Sequence, residues 1–319
     1  MRQGHKVSVI LLTKDSAPTV QKSLESIFEQ TRQPDEVVVV DGSSNDGTLD
    51  IVKKYPVKLV SEPSLGFGHA RNVGVQNASG DIIFFIDSDC YAEPDWIEKA
   101  LPHFDGNTKI VGVTGRTNLW NIESAAAKFI AFVGGRMNMP NQPKVMKIAP
   151  TMNLALKREV ISEVGWFDET LIRCEDTDLT YKISQKHEIL YEPNAVIWFR
   201  GSPSLGVASR KCIRHFIGVG QLCAKHGFKA EFVRFNLPIR AFLLISAILS
   251  LFFLPWYVPA ILFSVLLAEF IYKAASLYSR CRDNCVAYYV VFFTFWSLAS
   301  LAMFYGMYLG FRNKEKTRD

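Results

Sequence analysis

The stretch that most constrains the fold is a short apolar run that ends in two acids. Ile82–Ile86 is a continuous apolar segment, followed directly by Asp87, Ser88 and Asp89. The run is too short for an independent helix and has polar residues on both sides, so it predicts a strand buried on both faces. Residues two apart on an extended segment point the same way, so both carboxylates are expected at the carboxyl end of a central strand, where open α/β sheets bind ligands.

Two carboxylates in such a position suit a hard divalent cation. Oxygen ligands favour Mg²⁺ or Mn²⁺, and these ions complete their coordination with water and with the phosphates of a substrate. Asp87 and Asp89 therefore predict a metal site for a nucleotide diphosphate. An isolated Asp-x-Asp can also be two solvated loop acids, and the buried strand in front of this pair argues against that alternative.

The first half of the chain alternates strand and helix patterns. This alternation predicts an α/β fold, with a parallel sheet, helices on both faces and a nucleotide at the carboxyl edge. The sequence has neither a Gly-x-Gly-x-x-Gly turn after its first strand nor a Walker loop, which argues against a Rossmann dehydrogenase. Besides Ile82–Ile86, strands are predicted at Val7–Thr13, Val37–Val40 and Val57–Val60. Three helices are also predicted. The first begins at Pro18, the second is capped by Asp46 and runs through Tyr55, and the third spans His69–Asn77.

The last third of the chain is strongly apolar. Residues 241–272 and 286–310 are almost uncharged. As one helix the first run would reach about 48 Å, against a hydrocarbon core of about 30 Å, and it contains Pro255 and Pro259. The pattern predicts an α-helical membrane region in residues 237–319, with candidate spans at 239–254, 257–272 and 286–310 and a short basic tail at Arg312–Arg318.

Basic residues concentrate just before these apolar segments. The chain carries a net charge of +5, and the segment from Arg210 to Arg240 holds Glu231 as its one acid. Such a stretch fits the anionic cytoplasmic leaflet, so residues 201–236 are predicted to be a basic interfacial helical linker. Nucleic-acid binding is the alternative, and the adjacent apolar segments argue against it. The basic residues of the segment are Arg210, Lys211, Arg214, Lys225, Lys229, Arg234 and Arg240.

The amino terminus predicts the side of the membrane. Val7–Leu12 is too short for the apolar core of a signal peptide and leads into polar residues. Residues 1–200 are therefore expected to be a cytoplasmic domain of a multi-pass cell-membrane protein. The six cysteines show no metal-binding spacing, which fits a reducing compartment.

Ordered motifs across about the first 185 residues resemble the family 2 glycosyltransferases of GT-A fold. The resemblance implies that residues 1–200 are a GT-A, Rossmann-like, nucleotide-sugar-binding domain and that the protein is an inverting transferase using a nucleotide-diphosphate sugar. The matching motifs are Val7–Ile10, Ser26–Thr31, Val39–Thr48, Ala70–Asn72, Gly80–Asp81, Asp87–Asp89, Gly165–Glu169 and Glu175–Leu179.

The resemblance also implies roles for individual residues. Thr13 and Asp41 would bind the nucleoside, with Asp41 accepting from the edge of the base, and Arg71 would lie near the nucleotide. Ser88 would lie at the diphosphate, beside the metal ligands. Taken singly, Asp41 is also compatible with a turn aspartate, and Arg71 with a surface salt bridge.

The acid pair Glu175-Asp176 supplies the remaining chemistry. Inversion needs a base that takes a proton from the acceptor hydroxyl, and one carboxylate suffices. The resemblance assigns this role to Asp176, for which a helix cap is the alternative, while Asp178 is interpreted as a helix cap. In the family pattern a histidine follows a strand late in the domain, and this chain has Ile197–Arg200 at that place. A third protein ligand for the metal is therefore left open.

Three functions remain possible at this point. The first is a membrane-bound glycosyltransferase acting on a lipid-linked acceptor, because the basic stretch would hold the domain near the headgroup layer. The second is an inactive, membrane-anchored sugar-nucleotide-binding subunit. The third is a nucleotidyltransferase, which shares the sheet and the metal site but needs no base behind the sugar. The sugar, the linkage and the oligomeric state are open.

Overall fold

The computed structural model describes residues 4–106, 109–120, 127, 139–202, 204–229, 231–232, 250–252, 255–281 and 301–316. The chain divides into two compact units. The first comprises residues 1–120 and 136–200, and the second comprises residues 121–135 and 201–319.

The first unit is built on one mixed sheet. Its strand order is β3-β2-β1-β4-β8-β6-β9-β5, and β7 pairs with β9 outside this path. The strands are β1 Val7–Thr13, β2 Glu36–Asp41, β3 Lys58–Ser61, β4 Ile82–Asp87, β5 Cys90–Ala92, β6 Ile110–Leu119, β7 Lys144–Met146, β8 Leu154–Lys157 and β9 Glu188–Phe199.

The predicted parallel sheet holds for one half of the sheet, and the other half is mixed, with β6 and β9 as its parallel pair. Strands β3, β2, β1 and β4 run parallel, whereas β8 pairs with β4 in the antiparallel sense. The apolar runs of β1, β2 and β4 are buried on both faces, as their unbroken hydrophobicity predicts, and Ile10, Val38 and Phe85 lie in one core cluster. The predicted strand Ile82–Ile86 is therefore confirmed as the centre of the sheet.

Helices cover this sheet, and most of them follow the predicted pattern. Asp46 accepts a hydrogen bond from the Thr48 backbone N–H (3.1 Å), but the helix begins after Gly47 and ends at Val52 instead of running to Tyr55. Gly47 has φ +89°, a left-handed conformation that glycine adopts without a steric penalty. The helices of this unit are α1 Val20–Phe28, α2 Thr48–Val52, α3 Phe67–Asn77, α4 Trp96–Ala100, α5 Arg158–Glu163 and α6 Glu175–Ser184.

The second unit contains α7 Leu205–His226, α8 Tyr257–Cys281 and α9 Leu301–Lys316. Helices α7 and α9 approach so closely that glycine is required at the contact. A Cβ added at Gly220 would collide with the Met303 carbonyl, and one added at Gly306 would collide with the Ile217 carbonyl. The first part of the basic stretch, from Arg210 to Lys225, thus lies in a packed 22-residue helix.

In the parts of the chain that the structure describes, no helix has both the length and the apolar character that crossing a membrane requires. The predicted span 257–272 falls within α8, so the structure gives no support for it as a span. The predicted spans 239–254 and 286–310 lie largely outside the described residues.

Candidate active site

Three of the predicted site residues lie together at one edge of the sheet. Thr13, Asp41 and Asp87 are the last residues of β1, β2 and β4. Thr13 is in register with Asp41, and Leu12 is in register with Asp87. Because these strands are parallel and adjacent, their carboxyl ends form a single edge, which is where nucleotides bind in folds of this class.

Asp41 shapes the loop that follows β2. The residue is 1% exposed. Its Oδ1 accepts hydrogen bonds from Thr13 Oγ1 (2.8 Å) and Ser44 Oγ (2.6 Å), and its Oδ2 accepts one from the Ser44 backbone N–H (2.9 Å). A carboxylate has about four lone-pair sites, so Oδ2 retains capacity for one further donor such as the N–H of a base.

Arg71 on α3 is engaged with two carboxylates. It is 4% exposed, forms an ion pair with Glu175, and has its Nη2 3.6 Å from Asp87 Oδ1. Burial alone would lower the pKa of Arg71, but the charges of Glu175, Asp87 and Asp176 raise it above its ordinary value. The sequence predicts Arg71 near the nucleotide, and the structure gives its guanidinium a further task, which is to compensate buried acids.

Asp87 lies where several negative charges converge. Its side chain is 31% exposed. Burial raises the pKa of Asp87, Arg71 opposes that effect, and the charges of Asp89 and Asp176 raise the pKa further. Acids from β4, from the turn after it and from α6 are therefore close enough to repel one another. A cation between them would relieve this repulsion.

The carboxylates of Asp87 and Asp89 fit a divalent ion that arrives with its substrate. Among the described residues, no group of three or more His, Cys, Asp or Glu side chains is arranged to hold a metal. Mg²⁺ and Mn²⁺ are commonly bound through one or two carboxylates, with phosphates and water completing the shell. Two acidic side chains beside the predicted diphosphate site satisfy that requirement.

Ser88 and Arg200 hold the turn between the two acids. Ser88 is buried, and its Oγ lies 2.7 Å from Ser16 Oγ, which ties the loop after β1 to the end of β4. The backbone N–H of Arg200, directly after β9, donates to the Asp89 carbonyl (2.7 Å). Ser88 is thus placed beside the predicted diphosphate site, with its hydroxyl already bonded within the protein.

Asp176 lies in the first turn of α6 with its carboxylate held from two sides. Its Oδ1 accepts from the Thr177 backbone N–H (2.7 Å), and its Oδ2 accepts from the Thr151 backbone N–H (3.3 Å). The interpretation of Asp178 as a helix cap is wrong, because the N-cap is Cys174 and Asp178 is a fully buried residue inside the helix, paired with Lys182 (3.2 Å).

Two residues of this site escape sequence reasoning. The sequence presents Glu175 only as the neighbour of Asp176, because adjacent acids at a helix start give no signal of which one is buried. No motif singles out Arg173. Its guanidinium carbon lies 4.2 Å from the centre of the Phe67 ring, and its charge lowers the pKa of both Asp87 and Glu175 against the larger effect of burial.

The chain is similar to several characterised sequences. Residues 8–165 match the model of the family described as glycosyl transferase family 2. The chain is 30% identical over 200 residues to the glycosyltransferase AglE of Haloferax volcanii, covering 58% of this chain and 65% of AglE. It is 24% identical over 224 residues to the poly-beta-1,6-N-acetyl-D-glucosamine synthase of Staphylococcus epidermidis, covering 67% of this chain and 54% of the synthase. The chain thus spans less than two thirds of either relative.

Solved structures share the fold. A mannosyltransferase from Pyrobaculum calidifontis, in complex with GDP-Man and Mn²⁺, superposes with a TM-score of 0.62 at 20% identity, covering 95% of this chain and 88% of that one. Residues 1–349 of TarS from S. aureus superpose with a TM-score of 0.50 at 21% identity, covering 68% of this chain and 65% of that one. Residues 8–165 therefore match glycosyl transferase family 2, and the sheet and these superpositions show that the fold is GT-A.

Proposed function

We propose that this protein is an inverting, metal-dependent glycosyltransferase that moves a sugar from a nucleotide-diphosphate sugar to an acceptor hydroxyl. The observation that carries the proposal is that Arg71 pairs with Asp87, at the end of β4, and with Glu175, the residue before Asp176 on α6. A candidate base and a candidate diphosphate site are therefore close together at the same edge of the sheet. A sugar joined to a diphosphate would be placed between them.

The proposed reaction is a single displacement. Asp176 takes the proton of the acceptor hydroxyl, the acceptor oxygen bonds to the anomeric carbon, and the bond from that carbon to the diphosphate oxygen breaks. The electron pair leaves with the nucleoside diphosphate, and the configuration at the anomeric carbon inverts. The hydrogen bonds from Thr177 and Thr151 orient the Asp176 carboxylate for this proton transfer.

The other residues bind and orient the donor. Asp41 would accept an N–H of the base through its remaining lone pair, and Thr13 holds Asp41 in place. A Mg²⁺ or Mn²⁺ ion held by Asp87 and Asp89 would neutralise the diphosphate and stabilise it as it leaves. Arg71 keeps Asp87 compensated, and the adjacent Arg173 offers a guanidinium toward the same acids.

The acceptor we propose is lipid-linked, presented at the cytoplasmic surface of the cell membrane. The second unit supports this with exposed basic residues on α7, among them Arg210 and Arg214, and with highly exposed aromatic residues, Phe252 (76%) and Trp256 (81%). Basic side chains favour anionic headgroups, and tryptophan favours the headgroup layer. An acceptor hydroxyl must lose its proton during transfer, so the presence of a candidate base, Asp176, favours a hydroxyl on a lipid-linked glycan as the acceptor.

The test is to incubate membranes containing the protein with a panel of nucleotide sugars, Mn²⁺ and lipid acceptors, and to identify products by mass spectrometry. The expected products are a glycosylated lipid extractable into organic solvent and a nucleoside diphosphate. If the transferred sugar, followed with a labelled donor, stayed in the aqueous phase, the proposal of a lipid acceptor would be rejected and the assignment as a transferase would stand. Release of pyrophosphate would indicate a nucleotidyltransferase, and absence of turnover with every donor would indicate a binding subunit.

A further inference from the structure

We propose that Glu175 is a positioning residue for this reaction. By holding Arg71 it fixes the first turn of α6 against the end of β4, and so sets the position of Asp176 relative to Asp87. The inference rests on the proposed function, since it assigns Glu175 a task only if Asp176 is the base.

The geometry forms a chain of charges across three elements. The two terminal nitrogens of Arg71 face different acids, with Nη1 on Glu175 Oε1 and Nη2 3.6 Å from Asp87 Oδ1. Arg71 lies on α3, Glu175 is the first residue of α6, and Asp87 is the last residue of β4. A single planar guanidinium therefore connects the helix that carries the base to the strand that carries the metal site.

The same helix α3 holds the segment that leads into α6. Asn72, next to Arg71, donates from Nδ2 to the Phe167 carbonyl (2.9 Å) and to Glu169 Oε1 (2.7 Å), and its Oδ1 accepts from the Phe167 backbone N–H (3.1 Å). Cys174 then turns the chain into α6 with φ +68°. Because Glu175 and Asp176 are consecutive in the first turn, a fixed Glu175 leaves Asp176 little freedom.

Glu175 is a poor choice if stability alone is at stake. Its side chain is 5% exposed, and its Oε2 is buried with no hydrogen-bond partner among the described residues. Burying a carboxylate costs desolvation free energy, and an oxygen without a hydrogen-bond partner recovers none of it. A buried ion pair is also weak evidence for stability. Its position beside Asp176 is better explained by the geometry that it imposes.

Glu175 does not itself serve as the base in this scheme. One oxygen is taken by Arg71 and the other is buried, so an acceptor hydroxyl has no path to either. Asp176 is more exposed and is directed by backbone N–H groups. Glu175 therefore acts through Asp176, which makes the coupling between the two residues measurable.

The experiment is a double-mutant cycle on the full chain with Glu175→Gln, Asp176→Asn and the double variant. Glutamine keeps the shape and an acceptor oxygen but removes the charge that holds Arg71. We expect Glu175→Gln to lower kcat by about 10-fold to 100-fold with little change in the KM for the donor. The double variant should fall within about threefold of Asp176→Asn alone, because a misplaced base costs nothing once the base is gone. Losses that multiply would overturn the positioning role.

Asp178→Asn is the matched control, since Asp178 is also a buried acid of α6 paired with a basic residue. Asp178→Asn should lower Tm but should not show the non-additivity with Asp176→Asn. If Asp178→Asn lowered both kcat and Tm by as much as Glu175→Gln does, the proposal would be overturned. If Glu175→Gln does not fold, Arg71→Lys removes the same bridge from the other side and should show the same non-additivity with Asp176→Asn. A wild-type protein that transfers no sugar would refute the proposed function, whereas multiplying losses in an active protein refute only this inference.

Discussion

Carboxylates with the same intrinsic chemistry behave differently at this site because their neighbours differ. Asp41 has three internal hydrogen-bond donors and organises a loop, whereas Asp87 lies near other acids and has a raised pKa. Burial raises the pKa of Glu175 as well, although Arg71 opposes it. Asp176 combines a directed carboxylate with partial exposure, which is what a base needs.

The first prediction concerns the base. Asp176→Asn removes the proton acceptor but keeps the shape of the side chain, so transfer should fall by about 10²-fold to 10⁴-fold while nucleoside diphosphate still binds. Initial rates and calorimetry would measure the two effects, with Asp50→Asn on the exposed face of α2 as the control. A well-folded Asp176→Asn protein with near-normal transfer would require another base.

The second prediction concerns the metal. Transfer should require Mg²⁺ or Mn²⁺, and Asp89→Ala should reduce it severely, because the diphosphate would then face Asp87 with less neutralisation. Nucleoside diphosphate binding, titrated with and without Mn²⁺, should lose most of its metal dependence in this variant. Full turnover in excess chelator would contradict the prediction.

At the scale of elements, α3 organises the site by contacts on successive residues. Arg71 binds the start of α6, Asn72 binds the segment before it, and Gly68 allows the backbone of Asp168 to approach. A Cβ at Gly68 would lie 2.8 Å from the Asp168 carbonyl oxygen, so only glycine fits there without a shift. The helix and the loop from residue 165 to 175 therefore form one structural assembly.

The third prediction tests this assembly by pH. The hydrogen bond from Asn72 lowers the pKa of Glu169, burial opposes it, and His69 lowers it further, so the folded pKa lies below the ordinary value of 4.5. A carboxylate with a lowered pKa in the folded state stabilises the fold above pH 4.5. This contribution to the free energy of unfolding is lost as the pH falls through the pKa of the folded state.

We therefore expect Glu169→Gln to destabilise the protein at neutral pH and to approach wild-type stability in acid. Urea unfolding across a pH series would measure it, with Glu159→Gln on the exposed face of α5 as the control. A difference that does not change with pH would show that the charge of Glu169 contributes nothing to holding the loop.

At the scale of the whole molecule, two units carry different surface chemistry. The first presents acids at a sheet edge, and the second presents basic residues on α7 and exposed apolar residues such as Trp256 and Ile261. Large exposed apolar side chains are typical of interaction surfaces. Together with the basic residues, they are the basis of our proposal that the second unit binds a membrane.

The fourth prediction is that the full chain binds vesicles containing anionic lipid more tightly than vesicles of neutral lipid, and that salt reduces the difference. Replacing Arg210, Lys211 and Arg214 with glutamine should weaken binding to anionic vesicles by about 100-fold, at about 1 kcal/mol per basic residue. Sedimentation with vesicles measures both. The prediction would be contradicted if the triple variant bound both vesicle types equally and bound anionic vesicles as tightly as the wild-type protein does.

The sequence alone determined the strands and the residues at their ends. An unbroken apolar run followed by acids is a local pattern, and parallel strands bring their carboxyl ends to one edge whatever the rest of the chain does. The amino-acid pattern is therefore sufficient to place Thr13, Asp41 and Asp87 together, and the ordered motifs indicate the same family whose model residues 8–165 match.

Only the tertiary structure decided how the charges are paired. Arg71 and Glu175 are 104 positions apart, and nothing local in either segment indicates that they meet. The burial of Asp178, the antiparallel strand β8 beside β4 and the close contact of α7 with α9 are likewise absent from the local patterns. The physical reason is that burial and ion pairing depend on neighbours brought together from distant parts of the chain, whereas strand and helix patterns depend on residues only a few positions apart.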